Sequence, residues 1–184
     1  RRRRMREMER SSSWTSPLGV GVALFLAYGA LHLVTGGAFA LVAETELNRH
    51  EIFFAPGPDQ ALFGAPPADL LRDEPALVRL RSLTFLVIGA LLVGLAIVEV
   101  ALTWYGLRAG SRWALIALVL SGLAMFPFWG LVFRPYLAAG ATLGPFDVQP
   151  WIWMTGVLLV SAGILGWIGL RRPTGRDEQH LEGR

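Results

Sequence analysis

The chain has 184 residues, 53% of them hydrophobic and 17% charged, with a formal net charge of +3. Soluble domains carry roughly 25% charged residues, so the deficit points to lipid rather than water as the main solvent. The absence of cysteine excludes disulfides, thiol redox chemistry and Cys-ligated zinc or iron–sulfur centres.

Four apolar stretches dominate, at about 18–42, 83–107, 113–133 and 151–170. Each has the roughly 20 residues that a helix needs to cross a hydrocarbon core about 30 Å thick. Together they leave no segment large enough for an independent soluble domain. The prediction is therefore one all-α membrane domain over 1–184, a left-handed four-helix bundle.

The first stretch, 18–42, follows arginines as a signal peptide would. It is far longer than the apolar run of a signal peptide, so an uncleaved span is expected. It carries Tyr28 and His32, the latter the sole histidine inside a span, with Thr35 almost one turn beyond. Haem b usually needs a second axial ligand, and no second intramembrane histidine exists, so no cofactor is expected. His32 reads first as a hydrogen-bonded packing residue and second as a ligand-recognition group.

Residues 43–74 form the longest connection. Ile52, Phe53, Phe54, Leu62 and Phe63 are too apolar for a free linker, so this loop is expected to fold over the outer end of the bundle. PADLLRDE reads as a short helix. Glu44, Glu46, His50 and Glu51 include metal-ligand types, but their spacing matches no zinc signature. They read as a solvated acidic rim, and no metal is expected.

The second membrane helix is expected to start early, with Asp73 as its cap and Pro75 in its first turn, and to continue to Leu107. It carries Glu99. The third contains Pro127, which should kink its outer end. Small residues mark close-packing faces at Ala90 and Gly94 on the second helix. Ala162, Gly163, Gly166 and Gly169 do so on the fourth. The tail 173–184 is polar and reads as disordered.

Arginine sets the orientation, because every one of the seventeen basic residues is arginine. Arg6, Arg10, Arg108, Arg112, Arg171, Arg172 and Arg176 fall on one side. Arg49, Arg72, Arg79, Arg81 and Arg134 fall on the other, among most of the acids. The positive-inside rule then places both termini in the cytoplasm, with or without Arg1 to Arg4. Trp14, Trp104, Tyr105 and Trp113 should mark the inner interface, and Trp129, Tyr136, Trp151 and Trp153 the outer one. The basicity follows a coding bias toward arginine, and no nucleic-acid partner is inferred from it.

The polar residues inside the spans differ in depth. At 1.5 Å per residue from the inner ends, Glu99 falls about 10 Å deep, Ser121 and Ser161 about 13 Å, and Tyr28 about 16 Å. These four are expected to share a polar layer in which the hydroxyls donate to Glu99. An ionised carboxylate is costly in hydrocarbon, so Glu99 should face the bundle and find donors, or be protonated. His32 falls about 12 Å from Glu99 in depth, which argues against a direct pair.

The opening span LFLAYGALHLVTGG, followed by a Pro-rich outer segment and three further spans, resembles four-span bacterial membrane proteins and is faintly similar to DoxX-like proteins. That resemblance implies a topology and no catalytic residue. The leading functional expectation is a non-enzymatic inner-membrane accessory or scaffold protein that binds lipids, another membrane protein or a second copy of itself. The alternative is a small membrane enzyme or transporter acting on an apolar ligand within the bundle. In it Glu99 accepts a proton and His32 or Tyr28 orients the ligand.

Overall fold

The computed structural model describes residues 14–43, 45, 51–144, 147–148 and 150–171, with the side chains of residues 150 and 151 excepted. Glu44, Glu46, His50, the tail 173–184 and the expected interfacial ring of Trp151 lie outside the described residues.

Seven α-helices are described: α1 (Pro17–Val42), α2 (Pro56–Phe63), α3 (Pro67–Asp73), α4 (Pro75–Ala101), α5 (Arg112–Leu123), α6 (Phe126–Ala138) and α7 (Pro150–Arg171). A π-helical turn, Leu102–Leu107, continues α4. Four stretches are long and apolar enough to cross a membrane: α1, α4 with its π turn, α5 with α6, and α7. They coincide with the predicted spans to within a few residues at most ends, because uninterrupted apolar length is the strongest local signal a chain can carry.

Local chemistry sets the ends. Ser16 caps α1, its Oγ accepting from the Gly19 N–H at 3.0 Å, and Pro17 occupies the first turn. The expected cap of α4 is corrected by one residue: Asp73 closes α3, and Glu74 precedes Pro75. The backbone of Glu74 joins the two helices directly. Its N–H donates to Leu70 O and its carbonyl accepts from Leu77 N–H, both at 3.0 Å. Arg72 on α3 bonds Asp73 at 3.1 Å and pairs with Asp69 at 3.0 Å. The hydrogen bond to Asp73 and the two carboxylate charges raise its already high pKa.

α4 turns into α5 through residues 108–111. Gly110 takes φ +81°, a conformation that a side chain would strain. Gly106 meets Ala114 so closely that a Cβ added at Gly106 would lie 2.6 Å from that methyl.

Pro127 does more than kink the third span. α5 stops at Leu123 and α6 begins at Phe126, with Pro127 in its first turn. Proline has no N–H to offer the carbonyl four residues back, so it suits a new helix start better than a helix interior.

The long helices pack around α1, which runs against both α4 and α7, while α5 packs on the π turn and on α7. Two apolar clusters result, with no residue in common. The inner one joins Val22, Phe25, Tyr28, Leu107, Leu115, Leu118, Leu159 and Ala162. The outer one joins Phe54, Tyr136 and Ala141, with Phe53, Leu62, Trp129 and Phe133 packed against them. Trp129 and Tyr136, expected at the outer interface, pack on Phe54.

Candidate functional site

Glycines bring α1 and α4 together. A Cβ at Gly36 would lie 2.7 Å from Gly89 O, and one at Gly89 would lie 2.7 Å from Gly36 O. Nearly two turns earlier on α1, a Cβ at Gly29 would lie 3.0 Å from a Val100 methyl and 3.5 Å from the Glu99 Cβ. Between Gly29 and Gly36 sits His32, fully buried.

His32 Nδ1 lies 2.8 Å from Glu99 Oε2, and Glu99 is only 1% exposed. The expectation against a direct pair is therefore overturned. Counting depth from span ends assumed that all helices start in one plane and that side chains project sideways. In a helix each Cα–Cβ bond tilts toward the N-terminus. α1 and α4 are antiparallel, so His32 and Glu99 lean toward each other and close the axial gap.

One proton serves this contact: either Nδ1–H donates to the carboxylate or a protonated Oε2 donates to Nδ1. Which of the two atoms carries that proton depends on the tautomer of the imidazole. The second atoms of each group, His32 Nε2 and Glu99 Oε1, have no hydrogen-bond partner among the described residues. Thr103 Oγ1, also fully buried, bonds the backbone carbonyl of Glu99 at 2.7 Å and steadies its helix at the π turn.

Tyr28, one turn below His32, presents its ring edge-on to the imidazole at 4.5 Å between centroids. Its hydroxyl makes no hydrogen bond to any described residue. It points past Gly122, where an added Cβ would lie 3.0 Å from the oxygen. Beyond Gly122 lies an open-sided cavity of about 810 Å³. The break after Leu123 creates it, since α5 packs on α7 but α6 does not follow it closely. Its walls include Phe126, Trp129, Trp153, Thr155 and Ser161, and none of its lining residues among those described is charged.

The predicted polar layer is not assembled as expected: none of the Tyr28, Ser121 and Ser161 hydroxyls donates to Glu99, whose side-chain partner is His32. Tyr28, His32 and Glu99 come together, and Ser161 lines the cavity. Ser121 faces outward and spends its hydroxyl on Leu118 O at 2.9 Å, so it is no donor to Glu99. In an apolar setting a serine's own preceding turn offers the nearest acceptor. Of the acidic rim only Glu51 is described. No group of three metal-ligating side chains gathers among the described residues.

One polar centre escaped the sequence reading. Asp59, fully buried, accepts from the N–H groups of Ile52 at 2.6 Å, Phe53 at 2.8 Å and Phe54 at 3.3 Å, and from the Tyr136 hydroxyl at 3.0 Å. Arg81 Nε donates to Ile52 O at 2.8 Å, with its guanidinium 4.5 Å above the Phe85 ring. Phe54 is thereby held among Phe133, Tyr136 and Trp129. Beneath it lies a second cavity of about 170 Å³, sharing Met125, Trp129 and Ile152 with the first.

The small-residue faces divide. Gly166 meets Gly21 and Gly169 meets Leu18 at distances that leave no room for a side chain, and Ala162 is fully buried. Ala90 and Gly94 are exposed, and nothing lies within 4 Å of a Cβ placed on Gly94.

No protein-family model, curated protein or solved structure matches this chain.

Proposed function

We propose that this chain is a multi-pass protein of the bacterial inner membrane, both termini cytoplasmic, that takes an apolar molecule from the bilayer into its bundle. The four apolar helices and the distribution of arginine support the placement. The observation that carries the functional reading is the cavity of about 810 Å³, whose wall includes Tyr28, the ring that packs on the other side against His32. Its volume falls within the usual range of small-molecule sites, and apolar walls with a few convergent polar groups are their usual lining. Behind the Tyr28 ring the His32–Glu99 pair adds a buried imidazole–carboxylate contact, a combination that a small enzyme or a proton-linked transporter would use.

The accessory-protein expectation has less support. The α7 small-residue face is spent on α1 and α5, which leaves the outward Ala90 and Gly94 and the segment expected over the outer end as its basis.

Native mass spectrometry of protein released from mild detergent tests the reading. The expected spectrum shows a retained apolar small molecule that is lost in Gly156→Leu. Gly156 lines the cavity, and its Cβ position is 3.7 Å from the nearest Phe126 atom, so a larger side chain fills the site rather than a helix contact. A wild-type protein that retains no small molecule and takes up none of those offered sinks the proposal. A stoichiometric protein partner in its place would restore the accessory reading.

A further inference from the structure

We infer that the occupant of this cavity is a neutral amphiphile, a long apolar body ending in a hydroxyl or carbonyl oxygen, with that oxygen hydrogen-bonded to the Tyr28 hydroxyl. The inference rests on the ligand-binding reading above and goes further by naming the ligand's chemistry and orientation.

Three observations carry it. First, no lining residue among those described is charged, so an anionic or cationic head group would enter without a counter-ion from them. Burying an unpaired charge costs far more than burying a hydroxyl that finds a partner. Second, the polar lining is small and neutral. Tyr28 and Ser161 contribute hydroxyls that bond no described residue, whereas Thr155 Oγ1 is committed to Ile152 O at 2.7 Å. Third, the Tyr28 hydroxyl lies in the cavity wall beside Gly122, where an added Cβ would crowd Leu159 at 2.5 Å and the Tyr28 oxygen at 3.0 Å. The Tyr28 ring is held on its other side by Phe25 and His32, at centroid distances of 6.5 Å and 4.5 Å. A fixed ring with an unspent hydroxyl at the wall of an apolar chamber is arranged to orient one oxygen. The aromatic walls, Phe126, Trp129 and Trp153, accommodate an unsaturated or branched body.

Three photoreactive diazirine probes of equal chain length test this on the full chain in nanodiscs: one ends in a primary alcohol, one in a sulfonate and one in a methyl group. Labelled positions are located by peptide mass spectrometry. The expected result is labelling within 122–133 and 152–161 by the alcohol, at least about tenfold above the sulfonate, from the burial of an unpaired charge. The alcohol should exceed the methyl probe by about fivefold, the worth of one net hydrogen bond. Tyr28→Phe, which keeps the ring, should bring the alcohol down to the level of the methyl probe. Equal labelling by all three probes overturns the assigned ligand class and leaves the cavity as a binding site. Alcohol labelling that Tyr28→Phe leaves unchanged overturns the assigned orientation. No labelling of either segment by any probe removes the ligand-binding reading as well. The comparison of probes on the native chain decides the ligand class even where the variant fails to fold.

Discussion

The imidazole of His32 and the carboxylate of Glu99 meet at 2.8 Å across the α1–α4 crossing, 67 positions apart in the chain. Removing either partner leaves the other buried without its hydrogen bond. Glu99→Ala is therefore expected to cost about 1–3 kcal/mol, and His32→Ala a similar amount. Glu99→Gln, which keeps an acceptor oxygen, should cost less. The double substitution should cost less than the sum of the two, because it leaves no stranded polar group. Thermal melts in detergent read all four, and strictly additive losses would show that the two side chains do not interact.

Gly36 and Gly89 offer a contrast within one pair of helices. Alanine at either drives a methyl to 2.7 Å from a backbone oxygen, so the helices must part. Gly36→Ala and Gly89→Ala should each destabilise by about 1–3 kcal/mol, as overpacking does. Gly94→Ala meets nothing and should be neutral or stabilising. The same melts apply, and equal effects at 36, 89 and 94 would refute the close crossing.

Asp59 organises residues 52–59 through four accepted hydrogen bonds. Asp59→Ala strips all four, while Tyr136→Phe strips one. The expected order of protease sensitivity between residues 51 and 74 is wild type, then Tyr136→Phe at a cost of about 1 kcal/mol, then Asp59→Ala at several times that. Cleavage that begins equally fast in all three would mean that the carboxylate does not hold this segment.

Ser121→Ala should leave the melting temperature unchanged within about 0.5 kcal/mol, since its hydroxyl bonds only its own helix and faces outward. A loss matching that of Glu99→Ala would reinstate the polar layer that depth alone suggested.

What the sequence made legible was local. Apolar length located the four long helices, and PADLLRDE marked α3. The importance of Glu99, Tyr28 and His32 followed from the cost of polar groups in hydrocarbon, which needs no structure to estimate. Which of them would touch did not follow. The His32–Glu99 contact depends on how far one helix slides along another, and the Gly36–Gly89 crossing sets that slide. Asp59 was hidden for a related reason. It sits in a Pro/Gly-rich stretch that gives no periodic signal, yet it lies in the first turn of α2, and one of its partners is 77 residues away. The cavity had no sequence signature either, because it arises from where α6 goes after Pro127.

The separation of the inner and outer apolar clusters has a kinetic consequence. Cooperative opening units follow continuous packing. With a helix break at residues 124–125 and no shared residue, α6 and residues 51–63 can open together while α1, α5 and α7 stay closed at their inner ends. Amide exchange should then sort the third span into two classes, 126–138 exchanging in step with 51–63 and 112–123 exchanging far later. Trp129, Phe133 and Ile152 line the cavity and belong to the outer cluster, so the earlier opening would set how fast the cavity exchanges its contents, while Tyr28 stays fixed in the inner core.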